Sequence, residues 1–139
     1  MIEKITIKVR GYHLDVYGHV NNTRYLEFLE EARWCIKEKY FDFPQVHAAG
    51  YGFVVVNNNI DYLHPAGLGD VLEIQTFVKK IGTKSATFHH TIMLQGSPKV
   101  IAQADVTFVI VDLRTGKAIP ITGEWRAKLE SLQNENQPT

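Results

Sequence analysis

The sequence predicts an α+β protein in which one face of a curved antiparallel sheet of five or six strands packs against one long helix, with a short C-terminal helix. Three observations predict this fold. One long segment has apolar residues at helical spacing, five segments have them at alternate positions, and short turns separate the last strands. Because the long helix has one apolar stripe, it can bury that stripe by lying along one face of the sheet.

The first strand and the long helix open the chain. Residues 3–10 alternate polar and apolar side chains, which is typical of a half-buried strand. A helix is predicted at about 23–39, with Asn22 as its N-cap, because an amide oxygen can accept from the free N–H groups of the first turn. Its apolar stripe consists of Tyr25, Phe28, Leu29, Ala32 and Ile36. The predicted solvated face consists of Glu27, Glu30, Glu31, Lys37 and Glu38.

An irregular stretch is predicted over 41–52, followed by a strand over 53–63 that ends at Pro65 and a turn at 67–70. The residues predicted to face inward on this strand are Val54, Val56, Ile60 and Tyr62. Asn58 interrupts that pattern, which indicates either a buried amide with partners or a β-bulge.

Three more strands follow, joined by short connections at 80–84 and 95–99. Such short connections favour antiparallel neighbours. The alternating apolar residues are Leu72, Ile74 and Val78, then Ala86, Phe88, Ile92 and Leu94, then Ala102, Ala104, Val106, Phe108 and Ile110. A tight turn at 112–117 precedes a short piece and a helix over about 123–132. We therefore expect one domain over 1–132 and a frayed tail over 133–139.

Composition narrows the function classes. The chain has 139 residues, and its 15 basic side chains balance 15 acidic ones, which argues against nucleic acid or an anionic membrane as the main partner. Cys35 is the one cysteine, so no internal disulfide can form, and the cytoplasm is the expected compartment. We find neither a signal sequence nor an apolar run of about 18 residues, so no membrane insertion is expected.

The loop before the helix is where chemistry is expected. The free N–H groups and positive dipole end of a helix bind oxyanions and can stabilise a tetrahedral intermediate. Asp15 lies seven residues before Asn22, and Gly18 would let the chain fold back so that the carboxylate faces the helix start. A carboxylate there can act as general base or nucleophile. Spacing alone favours the simpler interpretation that Asp15 is an Asx-turn residue.

Residues 9–33 contain the string Asp15-Val-Tyr-Gly-His-Val-Asn-Asn22 and closely resemble the signature of hotdog-fold acyl-CoA thioesterases of the 4-hydroxybenzoyl-CoA thioesterase type. The likeness continues through Phe53-Val-Val-Val-Asn57, Tyr62-Leu-His-Pro-Ala66, Gly69-Asp70 and Gly82-Thr-Lys-Ser85. It covers most of the chain except the tail. The resemblance implies a hotdog fold, in which the sheet wraps around a long central helix. It also implies homodimers with one continuous sheet, often assembled into tetramers.

The same resemblance implies roles for individual residues. Asp15 corresponds to the catalytic carboxylate, and the thioester carbonyl would point at the helix amides around Asn22 and Thr23. Tyr17 and Gly18 would shape the site. His19, beside the helix start, is expected to be a hydrogen-bonding residue of the site. Whether Asp15 attacks the carbonyl or activates water stays open.

Two other groups of residues have competing interpretations. His13, Asp15 and His19 have the side chains of metal ligands, but all three would have to converge from one loop, so neither a metal nor a cofactor is expected. Lys80 and Lys84 lie at a predicted turn and could contact the phosphates of coenzyme A. The alternative is that they are solvated turn charges.

The predicted function is hydrolysis of medium- to long-chain fatty acyl-CoA to a free fatty acid and coenzyme A, by a homodimer or homotetramer. Two alternatives are an acyl-thioester binding module without hydrolysis and a hotdog 3-hydroxyacyl thioester dehydratase. A dehydratase needs a base and an acid over two neighbouring carbons, which Asp15 and His19 could supply. Release of free thiol from acyl-CoA discriminates between these functions.

Overall fold

One antiparallel sheet and a long helix dominate the computed structural model, which describes residues 1–133. The strands are β1 (Glu3–Lys8), β2 (Tyr51–Tyr62), β3 (Val71–Ile81), β4 (Ser85–Leu94), β5 (Val100–Asp112) and β6 (Lys117–Ala118). The α-helices are α1 (Asn22–Tyr40), α2 (Phe43–Ala48) and α3 (Gly123–Ser131), and a 3-10 turn spans Gly11–His13. Of the tail predicted to fray, Gln133 forms a parallel bridge with Val78, and the rest lies outside the described residues.

The sheet has the strand order β1-β3-β4-β5-β2, and every neighbouring pair is antiparallel. The two-residue β6 pairs with the end of β5. The predicted antiparallel pairing of β3, β4 and β5 is confirmed. β1 and β2 therefore form the two edges of the sheet, and β2 is twice as long as β1, with 12 residues against 6.

Helix α1 begins one residue earlier than predicted, and its N-cap is Asn21. The Asn21 side chain accepts a hydrogen bond from the Thr23 N–H at 3.1 Å, and Asn22 is the first helical residue. The prediction of Asn22 as N-cap is wrong. Two adjacent asparagines are equally good capping residues by type, and the loop geometry decides between them because the Asn21 N–H is bonded to the His13 carbonyl.

The core lies between α1 and the sheet. The predicted helix stripe is buried at all five positions, and so are the predicted apolar positions of β3 and β5. One cluster gathers around the first half of α1, and a second gathers around its last turns together with α3. Burying one large apolar side chain, such as leucine or phenylalanine, stabilises the fold by roughly 1.5–3 kcal/mol, so this packing fixes the position of the helix. Lys37 is half-buried, contrary to the prediction that it is solvated.

Two local predictions for the segment after α1 are wrong. The stretch expected to be irregular contains α2, which starts after Asp42; the Asp42 carboxylate accepts from the Gln45 N–H at 3.2 Å. On β2 the pairing register shifts between Val55 and Asn57. This bulge at Val56 reverses the alternation, so Val55 rather than Val54 lies opposite buried Phe108. Asn58 is exposed, so the interpretation of this residue as a buried amide is wrong. The other interpretation, a β-bulge, is confirmed, and the bulge lies two residues before Asn58.

Candidate active site

A tight loop precedes α1 and places Asp15 beside the helix start. The Asp15 N–H donates to the His19 carbonyl at 2.8 Å, and the Gly18 N–H donates to the Asp15 carbonyl at 3.1 Å. Gly18 has φ 76°, a left-handed conformation that glycine adopts without a steric penalty. Leu14 and Val20 then form an isolated antiparallel bridge. The loop therefore folds back, as the sequence predicts.

The Asp15 carboxylate has one occupied and one free oxygen. Oδ1 accepts the Tyr17 N–H at 2.9 Å and the His19 N–H at 3.3 Å. Oδ2 has no hydrogen-bond partner among residues 1–133. Asp15 thus forms the Asx turn that its spacing favours, and Oδ1 holds the side chain while Oδ2 stays available. The simple structural interpretation and the chemical one are compatible in this geometry.

Asp15 lines an open cleft of about 310 Å³. Three segments build it: the loop, the first turn of α1, and the chain that leaves β2. The lining residues are Asp15, His19, Val20, Asn22, Tyr25, Tyr62, Leu63, His64 and Pro65. The cleft therefore combines a carboxylate, a helix N-terminus and an apolar and aromatic wall.

The start of α1 offers one free donor at this cleft. The Thr23 N–H is bonded to Asn21 Oδ1, and the Arg24 N–H is bonded to the Asn21 carbonyl at 2.9 Å. The Asn22 N–H has no acceptor within the described part of the chain. This donor also sits at the positive end of the helix dipole, so it can bind a carbonyl oxygen that gains negative charge.

Two tyrosines line the cleft together with Asp15. The ring centroids of Tyr25 and Tyr62 are 5.6 Å apart, and the Tyr62 hydroxyl donates to the Asn22 carbonyl at 3.1 Å. Burial raises the pKa of Tyr25, and a hydrogen bond to the Ala66 carbonyl opposes the rise. The charges of Asp70 and Asp15 add to the rise, so the phenol stays neutral. The bond from Tyr62 ties the end of β2 to the first turn of α1.

His64 also lines the cleft. Its Nδ1 is 2.8 Å from the Val100 carbonyl oxygen. Because a carbonyl oxygen accepts, Nδ1 is the donor in this contact. The side chain is exposed, so solvent reaches it.

The structure brings some predicted site residues together and separates others. Asp15, His19 and Asn22 share the cleft, whereas the other predicted loop and helix positions, Tyr17, Gly18 and Thr23, do not line it. Tyr17 is 81 % exposed at the loop tip next to Gly18. Thr23 donates both its N–H and its hydroxyl to Asn21 Oδ1.

The structure does not bring Lys80 and Lys84 to the cleft of their own chain. Both lie near the β3–β4 turn, where β4 pairs with β5 at Val109. The cleft lies where β2 pairs with Ala102. Seven residues of strand separate these two points on β5, which is about 23 Å. Within residues 1–133, no three His, Cys, Asp or Glu side chains are grouped as metal ligands.

Six of the lining residues were not predicted as site residues: Val20, Tyr25 and the four residues 62–65. Tyr25 is assigned only to the core stripe, and the run Tyr62-Leu-His-Pro65 enters the resemblance without a role. A signal was present, because a strand that ends in a Pro-containing turn places its last side chains at the edge of the sheet. What the pattern could not supply is the pairing of β2 with β5, which brings this end beside α1.

The chain matches the family model of the thioesterase-like superfamily over residues 9–129. It belongs to this family. The hotdog fold and the class of reaction predicted from the sequence, thioester hydrolysis, are thereby confirmed.

Individual relatives span most of the chain. It is 51 % identical over 126 residues to the long-chain acyl-CoA thioesterase FadM of Escherichia coli (strain K12), covering 91 % of this chain and 96 % of that protein. It is 32 % identical over 107 residues to the acyl-CoA thioester hydrolase YbgC of Escherichia coli O6:H1, covering 75 % and 79 %. The crystal structure of YbaW, a probable thioesterase from Escherichia coli, superposes with a TM-score of 0.85 at 49 % identity, covering 94 % and 98 %.

None of the helices described in residues 1–133 combines the length and the apolar character needed to cross a bilayer.

Proposed function

We propose that this thioesterase hydrolyses medium- to long-chain fatty acyl-CoA to a free fatty acid and coenzyme A, with Asp15 as the catalytic carboxylate and the cytoplasm as its compartment. One observation carries the proposal. In the region that the structure describes, Asp15, with its unpaired Oδ2, and Asn22, with its unpaired N–H, line the same cleft, so one group can act on the thioester carbon while the other binds its oxygen.

In this mechanism the thioester carbonyl oxygen accepts from the Asn22 N–H. Asp15 Oδ2 then either attacks the carbonyl carbon or takes a proton from a water that attacks it. The negative charge that develops on the carbonyl oxygen is stabilised by the helix N-terminus, an effect of about 3–4 kcal/mol for a well-placed donor. Collapse of the tetrahedral intermediate expels the thiolate of coenzyme A. When water is the nucleophile, the fatty acid forms directly, and the proton that Asp15 has taken passes to the thiolate. When Asp15 is the nucleophile, collapse leaves a mixed anhydride on Asp15, which water hydrolyses to the free fatty acid and the carboxylate, and the thiolate takes its proton from solvent.

The apolar wall favours an alkyl chain. Tyr25, Tyr62 and Leu63 present aromatic and aliphatic surface beside the reacting groups, and each methylene buried there contributes about 0.8 kcal/mol. The 51 % identity to a relative named as a long-chain acyl-CoA thioesterase supports the same preference here. His19 and His64 border the cleft and can hydrogen-bond to the polar part of the substrate.

We also propose that two copies pair through β2. Edge strand β1 carries exposed Lys4 and Lys8, charges that discourage edge pairing. β2 instead exposes three consecutive valines, with Val54, Val55 and Val56 being 42 %, 40 % and 57 % exposed. A long apolar edge is a template for another strand, so a second copy of β2 would continue the sheet.

The test is release of free thiol from acyl-CoA substrates of increasing chain length, followed with a thiol reagent. We expect kcat/KM to rise between about four and 14 carbons, since each added methylene finds apolar surface. A rate that is flat or falls over this range contradicts the long-chain assignment. Tight binding without thiol release indicates a binding module, and conversion of 3-hydroxyacyl-CoA without thiol release indicates a dehydratase.

A further inference from the structure

A buried arginine without a carboxylate partner lies in the middle of α1. Arg33 is 7 % exposed, and its Nη1 donates to Nε2 of His90 at 3.2 Å. Because arginine can only donate, His90 accepts with Nε2 and donates its Nδ1–H to the Thr76 hydroxyl at 2.8 Å. Burial, followed by the charge of Arg33, holds the pKa of His90 well below its usual range. The imidazole is therefore neutral and does not compensate the guanidinium charge.

A second cation lies one helical turn further on. The Lys37 ammonium stands over the Trp34 ring, 4.5 Å from its centroid. Burial lowers the pKa of Lys37, and repulsion by Arg33 lowers it further. Neither residue takes part in any of the ion pairs within residues 1–133. Glu30 is the carboxylate that acts on both charges, but its Oε2 accepts from the Trp34 indole at 3.4 Å.

Arg33 and Lys37 line one cavity of about 30 Å³ between α1 and the sheet. Its remaining walls are apolar and include the rings of Phe41, Phe53, Phe88 and Phe108. This volume holds a group of a few heavy atoms rather than a whole chain. Neither cation has an ion-pair partner among the described residues in these apolar surroundings, and Glu30, which acts on both charges, accepts from the Trp34 indole, so one carboxylate in the cavity would compensate both.

The cavity lies on the same side of the sheet as the cleft at Asp15. The cleft joins the start of α1 to Tyr62 at the end of β2, and the cavity joins the later turns of α1 to Phe53 near the start of β2. Val55 lines the cavity, and Asn58, further along β2, lies opposite buried Val106; both face α1, yet both are exposed. We call the strip between α1 and β2 that leads along these residues from the cavity to the cleft the groove.

The length of this groove sets the length of chain that fits. Arg33 follows Asn22 by 11 residues, which is about 16 Å along the helix axis. An extended alkyl chain advances about 1.3 Å per carbon, given C–C bonds of about 1.5 Å. A chain of roughly 12 to 14 carbons would therefore reach Arg33 from a thioester held at Asn22.

We infer that the cavity at Arg33 and Lys37 binds a carboxylate at the far end of the acyl chain, so that the preferred substrates include ω-carboxyacyl thioesters of about 12 to 14 carbons. This inference rests on the proposed function for the position of the thioester. Arg33 and Lys37 are then specificity residues. They contact the distal end of the substrate and take no part in bond cleavage.

Binding of two coenzyme A thioethers tests the inference without any hydrolysis. Both carry an alkyl chain of about 14 carbons, one ending in methyl and the other in carboxylate, and affinity is measured by titration calorimetry. We expect the carboxylate compound to bind at least about tenfold tighter to the wild-type protein, because its charge-assisted hydrogen bonds are made in an apolar cavity. Lys37→Met should remove most of that advantage. Equal affinities in the wild type, or an unchanged advantage in Lys37→Met, overturn the inference.

Arg33→Met removes the other cation of the cavity, but it leaves the buried Nε2 of His90 without its hydrogen-bond donor. The fold of this variant is therefore checked by circular dichroism. Lys37→Met carries the test if Arg33→Met does not fold. Lys39→Met is the matched control, because Lys39 is an exposed cation on the same helix, paired with Glu3. We expect this control to bind both thioethers as the wild type does. If Lys39→Met lowers the affinity for the carboxylate compound as much as Lys37→Met does, the preference comes from the overall positive charge of the helix and not from the cavity, and the inference is overturned.

Hydrolysis of the matching thioesters separates this inference from the proposed function. Thiol release from the methyl-ended substrate reports the function, and the ratio of kcat/KM for the two substrates reports the cavity. No hydrolysis of either substrate contradicts the function, while the thioether affinities still decide the inference. A further titration uses tetradecanoic acid. If this acid binds to the wild type but not to Lys37→Met, and does not compete with either thioether, the cavity binds a separate fatty acid, and this too overturns the inference.

Discussion

Asp15 Oδ1 accepts the hydrogen bonds of the loop turn, and Oδ2 is the oxygen that we propose to act in catalysis. We expect Asp15→Asn to lower kcat by at least about a hundredfold, the usual contribution of a positioned general base, because the amide has no negative charge. The amide oxygen can still accept from the Tyr17 and His19 N–H groups, so the turn is kept. The midpoint of thermal unfolding should therefore change little. Thiol release and a thermal melt check the two parts separately.

Asp112→Asn is the matched control for that prediction. The Asp112 carboxylate also accepts from the N–H two residues on, that of Arg114 at 2.9 Å, but it does not line the cleft. We expect wild-type turnover from this variant. Near-wild-type hydrolysis by a folded Asp15→Asn protein contradicts the mechanism, whereas loss of activity together with unfolding leaves Asp15 as a turn residue only.

At the residue scale, residue types and their spacing identified the loop before α1 as the candidate site. They could not show which oxygen of Asp15 has no hydrogen-bond partner. Asp15 was predicted both as an Asx-turn residue and, through the resemblance, as the catalytic carboxylate. The structure shows the turn and leaves the catalytic role as a proposal. Lys37 was predicted to be solvated because its position lies off the apolar stripe. The cavity that half-buries it forms only when β2 and α3 pack nearby, which no local pattern records.

The N-cap of α1 provides a prediction at the scale of the element. Asn21→Ala removes the acceptor of the Thr23 N–H and hydroxyl, so the free energy of unfolding should fall by about 1 kcal/mol. Asn22→Ala keeps that cap and should cost no more than a few tenths of a kcal/mol, since alanine favours the helix. Urea denaturation of both variants measures the difference. Equal losses of stability would contradict the assignment of Asn21 as the cap.

Strands were predicted well where alternation is unbroken and poorly where one residue is added. The apolar positions of β3 and β5 are buried as predicted. On β2, the extra residue at Val56 changes which side chains face α1. A period of two cannot locate such an insertion when Val54, Val55 and Val56 are identical, because every register offers the same apolar side chains.

At the scale of the whole molecule, the strand order required contacts that the sequence pattern does not contain. Short turns predicted the neighbours β3, β4 and β5. The pairing of β1 with β3 and of β2 with β5 joins segments far apart in the chain. Those two pairings make β2 an edge strand and bring its end beside the start of α1. The cleft, the groove and the exposed valines all follow from them.

The exposed edge of β2 gives the last prediction. If two copies pair through this strand, Val54→Lys places two cations near each other across the twofold axis and should shift the dimer to a monomer of about half the mass. Sedimentation at micromolar concentration measures the mass. We expect the fold to survive, because Val54 faces away from α1 and is 42 % exposed.

Thr6→Lys on β1 is the control, since Thr6 is an exposed position on the opposite edge. This variant should keep the mass of the wild type, because β1 is short and already flanked by exposed lysines. A monomeric wild-type protein contradicts the proposed dimer, and so does a Val54→Lys protein with unchanged mass. If Val54→Lys is a folded monomer that has also lost hydrolysis, the cleft depends on the second copy. If it keeps full activity, each chain holds a complete site, and pairing serves only to cover the apolar edge.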